Sequence, residues 1–367
     1  MKNLLLYLFF IKSDIRNTSS FVKVFLVFSL FFSFQDVLLA QIGNKKVVAK
    51  SGEGIYSMLR RNNLNPNVYF NDFVELNKNK LGKNQSLYEG RTYLLPVKKE
   101  KSPVVKTQKS PESKPVKTKS NIKTVVYPIF GDKYSRIEIK DNKLKGAVYY
   151  LIAGHGGPDP GALGKFGGHT LSEDEYAYDV SLRLARYLIE HGALVYMIIR
   201  DKNDGIRDQA ILKLDTDEVC FRDKKIPYNQ KERLKQRTLA VNNLYAKNKG
   251  KYQRLVIIHL DSRGKKNDLD VYFYYHERSK SGKRLAKNIQ ETFKKKYAKY
   301  QPNRSYNGSL STRSSLYVLR NTHPPTVFIE LGNIRNAHDQ QRFVIPDNRQ
   351  ALGAWIGEGV LLDYTSR

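Results

Sequence analysis

Three short apolar runs each lead into a residue that could hold or use a metal. Leu144 to Ala153 passes through Gly154 into His155-Gly156-Gly157, Leu255 to Ile258 leads into His259, and Thr326 to Ile329 leads into Glu330. A further carboxylate, Glu173, opens a helical stretch after the Gly-rich turn. Two imidazoles and a carboxylate can hold zinc with a fourth position left for water, and a second carboxylate can then act as a base. Each residue also has a plainer reading. Glu173 suits the positive end of a helix, and His259 could be a buried imidazole satisfied by hydrogen bonds. Glu330 at the end of an apolar strand is harder to explain that way, because a buried carboxylate is costly unless paired or used.

Such residues need strands to carry them. Runs rich in Val, Ile, Leu and Tyr and bounded by Gly and Pro read as buried strands, and chemistry in open α/β sheets collects at strand carboxyl ends. Ser172 and Glu175 fit a capping box. Behind them Tyr176, Val180, Leu184 and Leu188 recur at helical spacing, and Gly192 stops the helix. Leu194 to Ile199 reads as a strand, Asn229 to Lys247 and Ser279 to Tyr297 as amphipathic helices, Tyr317 to Leu319 as a strand, and Asp347 to Tyr364 as a closing helix. Residues 126–367 are therefore expected to form one α/β domain, a mostly parallel or mixed sheet with helices on both faces. Lys202 to Gln230 is a charged stretch with Cys220 and Pro227, read as either a lid or a plain surface insertion.

Residues 45–97 read as a separate β-α-α-β unit: Lys46 to Lys50 alternates like a strand, Ser51-Gly52-Glu53-Gly54 turns, two helical stretches follow, and Gly90 to Pro96 closes with a strand. This segment resembles a LysM domain, and the resemblance implies binding to an N-acetylglucosamine backbone, with Gly52, Glu53, Gly54 and Ile55 as candidate glycan contacts. Residues 98–125 are expected to be a linker. From Lys98 to Lys123 the chain carries nine Lys against two Glu and three Pro, with no apolar periodicity, so it cannot offset its own chain entropy by burial. Residues 1–40 read as a secretory signal: Lys23, the apolar run Val24 to Phe34, and a small-residue exit at Ala40. The run is short for a membrane span, and no stable span is expected after cleavage.

With 64 basic against 35 acidic residues the net charge is +29, which suits a polyanionic partner. Export argues against nucleic acid and for an envelope polymer. A single cysteine excludes an internal disulfide and a Cys-rich zinc module.

The ordered set His155-Gly156-Gly157-Pro158-Asp159-Pro160-Gly161-Ala162, Glu173, Arg237 with Asn242, Ile258-His259, Tyr317-Val318-Leu319-Arg320 and Ile329-Glu330-Leu331-Gly332 resembles the zinc-dependent N-acetylmuramoyl-L-alanine amidases (Amidase_3). The resemblance spans most of residues 146–363. It implies a zinc-peptidase-like fold and hydrolysis of the amide between N-acetylmuramic acid and L-alanine in peptidoglycan. It implies His155, Glu173 and His259 as zinc ligands and Glu330 as the catalytic carboxylate. The sequence departs from the family pattern at Ile152, Leu260-Asp261 and Asn333. His169, Asp261, Arg320 and Asn333 are candidate substrate contacts, and an activator protein is a candidate partner. Two other functions share these features: a zinc peptidase cutting stem peptides, and a wall-binding protein without activity. The intact set of ligands and base speaks against the second.

Overall fold

The computed structural model describes residues 44–50, 53–64, 66–82, 87–97, 123–262, 270–301 and 306–367. They fall into two compact units, each taken by itself. The signal expected at 1–40, Gly52 and most of the linker lie outside the described residues. No helix among the described residues is long and apolar enough to cross a membrane.

The first unit has the expected order: β1 (Lys46–Val48), α1 (Ile55–Arg61), α2 (Pro66–Asn77) and β2 (Thr92–Leu94). The strands pair antiparallel, with Val47 opposite Tyr93. Val47, Ile55, Met58, Leu59, Phe73 and Tyr93 close a core of their own. Asn77 locks the last strand onto α2: its side chain donates to Leu94 O and accepts from Leu94 N, both at 2.8 Å.

The second unit opens with β3 (Thr124–Val126), which pairs with β4 (Arg136–Glu138) and so claims the last two residues of the expected linker. Its main sheet is built from β5 (Ala147–Ala153), β8 (Leu194–Met197), β12 (Tyr252–Asp261), β13 (Tyr272–Tyr275), β14 (Leu310–Thr312) and β15 (Thr326–Asn333), in the order β14-β13-β15-β12-β5-β8. The four strands β15, β12, β5 and β8 run parallel, and β13 is antiparallel to β15. This is the mixed sheet the sequence pattern implies. The chain steps from β5 outward to β8 and then returns to place β12 on the other side of β5. A crevice at the carboxyl ends of β5 and β12 follows from that reversal.

Helix α3 (Glu173–Glu190) follows the hairpin of β6 (Leu163–Phe166) and β7 (His169–Ser172) and packs on β5, β8 and β12. Helices α5 (Lys280–Tyr300) and α8 (Pro346–Thr365) pack together, α8 also lying along α3. On the opposite face, side chains of α4 (Gln230–Lys247) and α6 (Tyr317–Asn321) stand over Ile152, Ile257 and Phe328. The chain also forms α7 (Ala337–Val344) and a small sheet of β9 (Ile199–Arg200), β10 (Val219–Cys220) and β11 (Lys224–Lys225).

Two local expectations need correction. Tyr317 to Leu319 is helix rather than strand. A short apolar run carries no period to separate the two, and Asn321 and Thr322 side chains here bond back to the carbonyls of Tyr317 and Val318. The capping box does not form. Ser172 is the N-cap in extended conformation but makes no side-chain cap bond. Glu175 turns instead to Arg207 at 2.7 Å and accepts from Asp215 N at 3.0 Å. The long-range partners outcompete the local one. The segment between β9 and α4 is thus packed onto the first turn of α3, and Cys220 within it is buried.

The most deeply buried charge network ties α3 to α8. Asp179 Oδ2 accepts from Arg183 Nε and Arg349 Nε, each at 2.7 Å, and Asp179 and Arg349 are fully buried. Removing one partner strands the others without solvent. We expect Asp179→Ala to cost about 3–5 kcal/mol, read as a lower midpoint in denaturant unfolding. An unchanged midpoint would show that the network carries no stability.

Candidate functional site

Where β5 ends, the backbone turns sharply. His155 has φ of 60°, and Gly156 and Gly157 follow at 99° and 64°. Gly156 N closes the turn on Asp159 O at 2.8 Å. The side chain of Asp159 then fixes the imidazole: its Oδ2 lies 2.9 Å from His155 Nδ1 and 2.6 Å from an Arg233 terminal nitrogen. A bond at Nδ1 leaves Nε2 to face inward. Arg237, buried on α4, donates to His155 O at 3.1 Å; its burial lowers its pKa to about 10.

Glu173 is the first residue of α3 and is buried. Its Oε1 lies 2.7 Å from His259 Nδ1 and accepts from Leu260 N at 3.0 Å. Its Oε2 lies 3.2 Å from His155 Nε2 and accepts from Ala162 N at 2.9 Å. Burial opposes ionisation, but the bonds from His155 and His259 hold this carboxyl well below the usual range. His259 is pushed down, chiefly by burial. For His155 burial also acts downward, yet the carboxylates of Asp159 and Glu173 outweigh it and hold the pKa at about 10.

Ligand atoms of His155, Glu173 and His259 lie within 4.8 Å of one another. Two glycines keep this space open. A Cβ on Gly154 would come within 2.5 Å of His259 Nδ1, and one on Gly161 within 2.7 Å of Glu173 Oε2. Two nitrogens and a carboxylate converging in a space that admits no Cβ fit a small divalent ion with borderline-soft preference.

Glu330 stands directly beside His259 in the parallel pairing of β12 and β15, on the same face of the sheet. It is 8% exposed, and β15 continues past it to Asn333, so it lies within the strand rather than at its end. A cavity of about 180 Å³ opens next to the two imidazoles, lined by Ile152, Leu234, Arg237, Tyr317, Val318 and Phe328 among others. Phe328 stacks on the His259 ring, centroids 4.5 Å apart.

The four central residues expected from the sequence therefore come together, and of the weaker candidates Asp261 and Asn333 pair with each other just beyond His259 and Glu330 on β12 and β15. His169 is exposed in the β6–β7 hairpin, and Arg320 is exposed on α6. Asn333 is fully buried and accepts from Arg335 N at 2.9 Å, closing a turn. Asp261 is buried, with Oδ1 accepting from Ser262 N at 2.6 Å. In the first unit, Glu53 pairs with Arg61 at 2.7 Å and Ile55 belongs to the core, so both serve that unit's own fold, while Gly54 is exposed.

Sequence reasoning gave no role to Asp159, although its position four residues after His155 offered a clue. It also missed Glu218, for which the sequence holds no signal. Glu218 Oε2 accepts from Gly157 N at 2.6 Å, supporting the His155 turn, and burial raises its pKa to about 7.

A family model described as N-acetylmuramoyl-L-alanine amidase matches residues 150–361. A germination-specific N-acetylmuramoyl-L-alanine amidase of Bacillus subtilis (strain 168) is 25% identical over 229 residues, covering 61% of this chain and 82% of the relative. The solved CwlD amidase from Clostridioides difficile, in complex with the GerS lipoprotein, is 24% identical with a TM-score of 0.46, covering 60% of this chain and 98% of that one. The Ami1 amidase from Mycobacterium smegmatis is 18% identical with a TM-score of 0.45, covering 61% and 99%.

Because Asp159 orients His155 without belonging to the converging set, Asp159→Ala should lower affinity for a bound divalent metal by about 10–100-fold. Equilibrium dialysis against zinc measures this. Unchanged affinity would show that the His155 ring is held by other means.

Proposed function

Because the chain belongs to the N-acetylmuramoyl-L-alanine amidase family, we propose that His155, Glu173 and His259 hold a zinc ion and that Glu330 moves the proton in amide hydrolysis. The chain is a peptidoglycan hydrolase, acting on the amide between N-acetylmuramic acid and L-alanine. Its substrate lies in the cell wall, so the enzyme works outside the cytoplasm. Residues 1–40 are the proposed export signal, and the periplasm or envelope is the proposed destination.

The observation that carries the residue roles is the convergence of the three donors, with Glu330 registered against His259. A zinc ion bound there would supply Lewis-acid polarisation of the scissile carbonyl and a lower pKa for the attacking water. The remaining work belongs to the protein. Asp159 holds the His155 ring with Nε2 inward. Glu173, bonded by two backbone N–H groups, stays ionised and fixed. Glu330 takes a proton from the attacking water and delivers it to the departing alanine nitrogen, so that one water is consumed and a free lactyl carboxylate and a free amine result.

Mass spectrometry of sacculi digested by the purified protein tests both the bond and the base. Wild type should release stem peptides with a free N-terminal L-alanine. Glu330→Gln should keep its zinc and lose about 10²–10⁴-fold in rate. Peptides cut within the stem would favour the peptidase reading, and a wild-type rate in the variant would remove Glu330 from the mechanism.

Residues 45–97 are proposed to bind glycan as a LysM-like unit, raising the local concentration of the catalytic unit on its substrate. The β-α-α-β order supports this, and with Glu53 and Ile55 committed internally the contact falls on Gly54 and the exposed surface near it. A chain beginning at Lys123 should keep activity on soluble muropeptides but bind sacculi less at moderate salt, where screening weakens adhesion by the Lys-rich stretch. Equal sacculus binding by both forms would refute a glycan role for the first unit.

A further inference from the structure

Between β9 and β10 the chain gathers carboxylates that the proposed hydrolytic centre does not use. Ligand oxygens of Asp201, Asp204 and Asp215 lie within 4.8 Å of one another, and so do those of Glu175, Asp215 and Glu218. Asp215 belongs to both groups, which makes them one continuous patch. Facing it, Arg207 pairs with Glu175 at 2.7 Å and with Asp204. One guanidinium does not neutralise five carboxylates, and like charges this close repel strongly where water is scarce.

A second observation is independent of the count. Asp201 is 6% exposed. Its Oδ1 accepts from Asn203 N at 2.8 Å and from Asp204 N at 2.7 Å, which bends the chain so that Asp201 and Asp204 face Asp215 together. Its other oxygen, Oδ2, is buried with no hydrogen-bond partner among the described residues. A buried carboxylate oxygen left unbonded is costly. A cation seated among these side chains would satisfy it and relieve the repulsion at once.

We propose that Asp201, Asp204 and Asp215 bind a calcium-class divalent cation, with Glu175 and Glu218 adding charge to its surroundings. All the donors are oxygen, and neither imidazole nor thiolate is among them, which selects a hard ion over zinc. Several carboxylates on an irregular segment suit the flexible coordination of Ca²⁺ better than the strict octahedron of Mg²⁺. The site has a structural consequence for the hydrolytic centre. Glu175 lies on the same first turn of α3 as Glu173, and Glu218 holds Gly157 N in the His155 turn. The cation would thus tie the inserted segment to both parts of the scaffold under the imidazoles. Its residues are positioning residues and do not touch the reacting atoms.

Calorimetric titration of CaCl₂ into the chelator-treated full chain, paired with thermal unfolding, tests the site without an activity readout. Wild type should show saturable Ca²⁺ binding between about 10⁻⁶ and 10⁻³ M and a midpoint raised by several degrees. Mg²⁺ should bind more than about tenfold more weakly. His155→Ala should retain the full calcium response, which separates this site from the proposed zinc centre. Asp215→Asn removes one of the crowded charges, so it should unfold no earlier than wild type in chelator yet gain nothing from calcium. Asp201→Asn provides a second variant with the same expected loss. Absence of calcium binding by wild type, or a wild-type response in both variants, would overturn the site. Equal Mg²⁺ binding would overturn its assignment to the calcium class.

Discussion

The carboxylate of Glu173 is the point on which the rest of the catalytic unit turns. It is buried, it lies between two imidazoles, and it accepts from two backbone N–H groups on different segments. An isolated buried carboxylate would neutralise or be expelled. Here the four partners hold it ionised, and they come from three separate parts of the chain: the turn after β5, the loop before β6, and two adjacent residues of β12. The unit cannot satisfy Glu173 without also bringing His155 and His259 to their places. Assembly of the site and folding are in this sense one constraint.

Helix α3 transmits that constraint. Glu173 starts the helix, Glu175 on the same turn reaches Arg207 in the inserted segment, and Asp179 one turn further on locks Arg183 and Arg349. A helix that packs on β5, β8 and β12 and is bonded to α8 through buried charge has little freedom to slide. Its first residue is therefore set with the accuracy a metal centre needs. The glycines contribute the complementary condition. Gly154 and Gly161 leave room for the rings and carboxylate, and the positive φ at Gly161 would strain other residues.

The charge distribution separates two kinds of donor chemistry within a short reach of α3. Nitrogen donors and one carboxylate meet at the strand ends. Oxygen donors alone meet in the segment between β9 and β10. The first arrangement suits hydrolysis, the second holds scaffold together. The excess of basic residues belongs largely elsewhere, including the Lys-rich stretch after residue 97, where it would favour an anionic wall.

Much of this was legible in the amino-acid sequence. Apolar runs bounded by Gly and Pro marked β5, β12 and β15, and the helical spacing of Tyr176, Val180, Leu184 and Leu188 marked α3, because burial on one face imposes a period on the chain. The residues following or interrupting those runs, His155, Glu173, His259 and Glu330, stood out because such groups are expensive in apolar surroundings. Other features were settled only by tertiary contacts. Asp159 meets Arg233 across 74 residues and Glu218 meets Gly157 across 61. Glu175 abandons the cap its local sequence offers for Arg207, and the run at Tyr317 coils where its composition allowed a strand. Local sequence specifies period and polarity, which decide secondary structure and burial. Which distant charge finds which partner depends on strand order, and the reversal that sets β12 beside β5 is a property of the folded sheet alone.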